Sequence, residues 1–100
     1  MPTTDIQLDE KIKVTVQEPK RWKVILLNDD STPMEFVISI LVEIFRHTPE
    51  TASGIMLQVH ETGSGIAGVY SFEIAEAKAV EATNQARANG HPLQIKLEEE

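Results

Sequence analysis

The pair Thr-Pro occurs twice in this chain, at Thr32-Pro33 and Thr48-Pro49, and each pair marks the opening of a helix. A threonine hydroxyl accepts from the free amides of a first helical turn. Proline fits the first helical position, where its missing N–H has no partner to lose. Glu35 stands three residues after Thr32, the spacing at which a carboxylate reaches back to complete a capping box. These two start signals cut the chain into short segments, and the apolar pattern inside each segment decides its type. Trp22-Lys23-Val24-Ile25-Leu26-Leu27 is β-branched and aliphatic and reads as a mostly buried strand. After Thr32, the residues Phe36, Val37, Ile40, Leu41, Ile44 and Phe45 share one helical face. After Thr48, a second helix carries Ala52, Ile55, Met56, Val59 and His60 until Gly63-Ser64-Gly65 ends it.

The remaining punctuation completes the order. Ile66-Ala67-Gly68-Val69-Tyr70 is a short strand with a glycine where packing is close. Ser71 caps a third, alanine-rich helix over residues 73–89, with Asn89-Gly90 as its stop. Leu93-Gln94-Ile95-Lys96-Leu97 alternates strictly and is the last strand, leaving Glu98-Glu99-Glu100 as a solvated tail. The order β-α-α-β-α-β predicts a small α/β (α+β) domain, a layer of three strands against three helices. Residues 1–19 are polar, end in Gln17-Glu18-Pro19, and read as a flexible arm ahead of the domain at residues 20–98.

Composition narrows the function classes. One hundred residues make one domain with a modest core, and the absence of cysteine excludes disulfides and thiolate metal sites. A net charge of −7 argues against nucleic-acid binding, because phosphate neutralisation needs a basic patch. The one local patch, Lys20-Arg21 with Lys23, reads as a solvated strand edge. No run approaches the ~20 apolar residues that span a bilayer, and Met1-Pro2-Thr3-Thr4-Asp5 has no signal-peptide character. The expectation is a soluble, cytoplasmic monomer without membrane or nucleic-acid partners.

Asn28-Asp29-Asp30 places three polar side chains where a strand ends and a helix begins. No zinc-protease helix, nucleophile elbow, phosphate loop or dinucleotide motif accompanies them, and their spacing is not that of a calcium loop. His60 borders an apolar helical face beside Met56 and Val59, while His47 and His91 stand next to element boundaries and are expected at the surface. Trp22, at a strand start, is expected to anchor packing. The residues alone leave three readings open. These are a structural turn, an acid–base or metal site at Asp29, Asp30 and His60, and a pocket for a cation beside an apolar group.

The run from Val24 to Val37, with Asn28-Asp29-Asp30-x-Thr32-Pro33-Met34-Glu35-Phe36 at its centre, resembles the signature of the ClpS adaptor family. Met56-Leu57-x-Val59-His60-x-x-Gly63, Gly68-Val69-Tyr70, Glu73-Ile74-Ala75-Glu76-x-Lys78 and His91-Pro92-Leu93 extend the resemblance in order across residues 20–98. It implies a three-stranded antiparallel sheet packed on three helices, similar to the C-terminal domain of the ribosomal stalk protein. It also implies an adaptor, not an enzyme, that needs no cofactor or metal. Such an adaptor binds N-degron substrates whose first residue is Phe, Tyr, Trp or Leu and delivers them to the N-terminal domain of a ClpA-like AAA+ unfoldase with its ClpP peptidase. By position the resemblance assigns Asn28, Asp30 and His60, with Asp29 alongside, to the ligand's α-amino group. Thr32, Met34, Val37, Met56, Val59 and Leu93 would line the apolar pocket, Met34 acting as a gate against β-branched first residues. Ser31, Glu73 and Lys78 would dock the unfoldase, and the polar arm would assist substrate hand-over.

Overall fold

The computed structural model describes residues 19–100; apart from Pro19, the arm expected at residues 1–19 lies outside the described residues. The elements are β1 (Arg21–Leu27), α1 (Met34–Glu43), α2 (Pro49–Thr62), β2 (Ser64–Ser71), α3 (Phe72–Ala88) and β3 (Gln94–Glu99). They form one antiparallel sheet in the order β2-β1-β3, with β1 hydrogen-bonded on both sides. The fold is therefore the expected β-α-α-β-α-β domain. Its inner sheet face carries Val24 and Leu26 at zero exposure, packed with Val37, Ile40 and Leu41 of α1, Met56 and Val59 of α2, and Ala75, Ala82 and Ala86 of α3. The small alanines let α3 lie close against the strands. Trp22 packs against this core and meets Phe72 edge-on at 5.1 Å between ring centroids, as an anchor should.

Against the sequence reading, β2 opens earlier, at Ser64, β3 opens at Gln94, and Ser71 stands at the N-cap of α3 without a side-chain hydrogen bond; two further departures have identifiable reasons. The first helix does not start with a Thr32 cap: Pro33 is the N-cap, no side chain caps it, and the amides of Phe36 and Val37 donate to the Pro33 carbonyl. The Thr32 hydroxyl is committed elsewhere, donating to Asp29 Oδ2 at 2.8 Å. The C-terminal glutamates are not a free tail. Glu98 and Glu99 continue β3, pairing with Lys23 and Trp22, and the Glu100 amide donates to the Arg21 carbonyl. Lys20 meets Glu99 at 3.0 Å and Lys23 meets Glu98 at 3.6 Å, so the basic patch faces these acids; such exposed pairs contribute only ~0–1 kcal/mol each.

The second Thr-Pro pair behaves as read. Thr48 Oγ1 accepts from the Thr51 amide at 3.2 Å, and α2 ends where Gly63 adopts a left-handed φ of 93°. From there β2 turns straight back under the helix. A β-carbon at Gly65 would stand 2.7 Å from Val59 Cγ2, so the missing side chain is what lets α2 rest on β2. Gly68 is the glycine of close packing: the Tyr70 ring folds back over its α-carbon.

Gly65→Ala should force Val59 or the whole of α2 outward. We expect a loss of about 1–3 kcal/mol of unfolding free energy, typical of overpacking. A urea midpoint equal to that of the unchanged protein would refute the close seat.

Candidate recognition pit at the β1–α1 corner

The corner between β1 and α1 is built by one carboxylate. Asp29 Oδ1 accepts from the backbone amides of Ser31 at 2.8 Å and Thr32 at 2.7 Å, and Oδ2 accepts from the Thr32 hydroxyl. An aspartate that satisfies the amides two and three residues ahead replaces the hydrogen bonds a helix or strand would supply. On its other side, the Asn28 amide donates to the Gly63 carbonyl at 2.9 Å, tying the corner to the end of α2. Partial burial pushes the Asp29 carboxyl up, but the hydrogen bonds from Thr32 and Ser31, with an electrostatic contribution from His91, outweigh it. The net result is a carboxyl held below its ordinary value.

This corner forms one wall of a small pit. Leu27, Asn28, Asp29 and Thr32 stand on that wall, Val37 comes from α1, Met56 and Val59 from α2, and Leu93 from the chain entering β3. Val37, Met56, Val59 and Leu93 are all buried, so the floor is apolar and the rim polar. The open volume is about 10 Å³, room for the centre of one water.

Of the residues that the sequence nominates, the structure brings Asn28, Asp29, Thr32, Val37, Met56, Val59 and Leu93 together around this pit. Asp30, Met34 and His60 do not line it. All three are exposed, Met34 at 44% on the first turn of α1 and His60 one residue beyond the wall residue Val59. Among the described residues, no three His, Cys, Asp or Glu side chains are grouped to hold a metal ion, so Asp29, Asp30 and His60 do not assemble as a metal site.

The docking trio separates as well. Ser31 follows the C-terminal end of β1, whereas Glu73 follows Ser71, which pairs with Arg21 at the other end. Seven strand residues put roughly 20 Å between those two ends. Glu73 is exposed, but Lys78 is half-buried: its Nζ donates to the Ile44 carbonyl at 2.7 Å and lies 5.4 Å from the centre of the Tyr70 ring. That ammonium binds a free carbonyl just past the last turn of α1.

One pit residue, Leu27, escaped the sequence reading, and so did the surroundings of two histidines. Leu27 is on the pit wall because the last strand residue, adjoining Asn28, turns away from the core face occupied by Leu26. His91, expected at the surface, is half-buried with its ring edge-on to Phe36 at 4.6 Å. His47 is also half-buried, its Nε2 hydrogen-bonded to the Ala67 carbonyl. The only advance signals were a strand end beside polar residues and histidines flanking prolines, which specify no partner.

The lowered Asp29 carboxyl fixes a sign for pH dependence. Its stabilising contribution is fully present above the ordinary carboxyl value of 3.8 and is lost as pH falls through the lower folded value. Asp29→Ala should cost about 1–2 kcal/mol at neutral pH, as for lost capping aspartates. Denaturant titrations of both proteins should show this gap closing only below pH 3.8. A gap that already closes between neutral pH and that value would contradict the assignment.

Comparison with known proteins places this geometry. Residues 17–96 match the ClpS family, described as ATP-dependent Clp protease adaptor protein ClpS. The chain is 47% identical over 93 residues to the ATP-dependent Clp protease adapter protein ClpS of Maricaulis maris, covering 93% of this chain and 85% of that one. It is 48% identical over 99 residues to the protein of the same name from Nitratidesulfovibrio vulgaris strain Miyazaki F, covering 99% of each. In three dimensions it is similar to Agrobacterium tumefaciens ClpS2 bound to L-phenylalaninamide, with a TM-score of 0.80 and 43% identity over 83% of this chain and all of that one. A family match over most of the chain, near-half identity across full-length relatives and a shared fold agree with the polar-rimmed apolar pit, and the chain belongs to the ClpS family of ATP-dependent Clp protease adaptor proteins.

Proposed function

We propose that this protein is an N-degron adaptor: it binds the free α-amino group and large hydrophobic first residue of a substrate and delivers that substrate to a ClpA-like AAA+ unfoldase for degradation by ClpP. The observation that carries the reading is the pit, an apolar floor of Val37, Met56, Val59 and Leu93 beneath a rim bearing Asn28 and Asp29. L-Phenylalaninamide, the ligand of the similar Agrobacterium protein, joins the two matching chemistries, an α-ammonium and a benzyl side chain. The ammonium offers three donors. The Asn28 amide oxygen and the Asp29 carboxylate, on residues lining the pit, are assigned two of them, and a His60 ring nitrogen, one residue beyond Val59, is assigned the third.

The structure shifts emphasis within the acidic pair. Asp29 lies on the pit wall and Asp30 does not, so Asp29 is assigned the ammonium contact. Burying a Leu or Phe side chain in the floor supplies about 1.5–3 kcal/mol. N-acetylation removes both the charge and the donors, leaving the rim unpaired, which rejects internal residues more strongly than pocket size does. At about 10 Å³ the pit is too small for a benzyl group, because even benzene occupies cavities of ~150 Å³. Entry therefore requires a wall to move. Met56 is the unbranched, readily rearranged side chain among the walls.

Met34, exposed at the start of α1, is assigned as the gate against β-branched first residues. Docking on the unfoldase is assigned to the first turns of α3, where Glu73 is exposed beside Phe72 and Ile74, themselves 42% and 51% exposed. Lys78 contributes there by fixing the end of α1 against α3, and Ser31 is assigned to the far margin of the docking surface, beyond the other end of β1. Hand-over is assigned to the polar residues 1–19, and the protein acts as a cytoplasmic monomer without enzymatic activity of its own.

Fluorescence anisotropy with short peptides tests the reading. Peptides beginning with free Phe or Leu should bind, N-acetylated and Val-initial controls should not, and a chelator should change nothing. Turnover or chelator sensitivity would favour an acid–base or metal enzyme instead. Asn28→Ala and His60→Ala should each weaken binding by about 1–3 kcal/mol, the cost of a lost hydrogen bond to a charge, and Asp30→Ala by clearly less. Met34→Ala should admit Val- or Ile-initial peptides, and continued rejection of both would remove the gate.

A further inference from the structure

The turn from α3 into β3 is held by a side chain that is not itself a wall of the pit. Arg87, in the last turn of α3, donates from Nη1 to the His91 carbonyl at 2.9 Å and to the Leu93 carbonyl at 2.8 Å. Nη1 carries two N–H groups, one for each carbonyl. In extended chain, carbonyls two residues apart point to the same side, so this bond pair suits an extended His91-Pro92-Leu93. Proline supports that geometry by fixing its own φ and biasing the preceding residue away from helix. The turn is closed from the other side by the His91 amide, which donates to the Ala86 carbonyl at 2.8 Å.

Two pit features depend on where this short stretch lies. Leu93, 1% exposed, is a pit wall, and His91 stacks edge-on against Phe36, the neighbour of the wall residue Val37. Leu93 is not tied into the sheet ladder: β3 begins at Gln94, the partner of Leu27. The guanidinium is therefore the polar anchor closest to this wall. Its side chain is exposed, so its charge stays hydrated and the clamp costs little desolvation.

We propose that Arg87 is a positioning residue for substrate recognition, clamping the His91 and Leu93 carbonyls so that the Leu93 side chain stands where the ligand's first side chain packs. This rests on the recognition function proposed above. A wall displaced by about 1 Å loosens a pocket without unfolding the scaffold. Arg87→Met keeps the apolar stem and removes both donors.

The test is a double-mutant cycle on binding of a Phe-initial peptide, with far-UV circular dichroism and a melting curve on each protein. Arg87→Met should weaken binding about tenfold, the equivalent of one lost charged hydrogen bond. In a Leu93→Val background the same change should weaken it less than twofold, because the wall it positions is already altered. A purely structural arginine would lower the melting temperature, leave the folded protein's affinity unchanged, or act additively with Leu93→Val; either of the last two results overturns the proposal. If Arg87→Met does not fold, Arg87→Lys, which keeps a donor for one carbonyl, is read by the same cycle and the same criteria. Unchanged protein that ignores the Phe-initial peptide overturns the recognition function. Unchanged protein that binds, with the Arg87 variant equal to it, overturns the clamp alone.

Discussion

Strand β1 has a hydrogen-bonded neighbour along both edges, and the rest of the molecule takes its position from that double constraint. Its inward residues Val24 and Leu26 are fully buried, so slipping either ladder by one residue would turn both to the opposite face. The register with β2 fixes where α2 ends, since Leu27 pairs with Ser64 immediately after Gly63. The register with β3 fixes where Leu93 enters, since Leu27 also pairs with Gln94. The end of α2 and the Leu93 wall are thus both referred to the last residue of one strand, itself a pit wall. The backbone segments that carry the site converge on the most constrained point of the sheet.

The corner beyond that point shows how one side chain replaces regular secondary structure. Between Leu27 and Met34 the backbone leaves the sheet and has not yet entered a helix, so its amides need other partners. Asp29 satisfies two of them and the Thr32 hydroxyl as well. Among the described residues no buried side-chain polar atom is left without a partner. Lys78 serves the opposite end of α1 in the same way, donating to a carbonyl that no glycine cap relieves. Arg46, with a positive φ of 64°, ends that segment where a glycine would be the usual residue.

That same substitution of roles explains what the sequence disclosed and what it hid. The element order and both inner faces were legible because periodicity is a local property, and the second Thr-Pro pair acts as its spacing implies. The first pair, identical in sequence, was misread because Thr32 has an aspartate three residues earlier that competes for its hydroxyl. The stop of α1 was hidden for the converse reason: a lysine 34 residues away and an arginine in an unusual conformation do the work of a glycine. Seven residues that the resemblance nominates lie around one pit, and only the folded chain could separate Asp29 from Asp30. Adjacent acids are equivalent as letters, and the corner makes one a wall and leaves the other in solvent.

This separation bears on how the proposed ligand would be held. A carboxylate has about four acceptor positions, and Asp29 uses three of them on its own corner. One position remains on Oδ2, so in the proposed complex Asp29 would offer an ammonium a single bond from a side chain already held by three others. Binding to such a group loses little rotamer freedom, whereas a free surface aspartate like Asp30 must be ordered as it binds. The hydrogen bonds that lower the Asp29 carboxyl also keep it charged through the acid range in which a free carboxylate begins to protonate. A corner needed for folding thereby delivers a fixed, ionised acceptor at the rim of an apolar pit. On the proposed function, recognition of a first residue would then require little more than a floor beneath it.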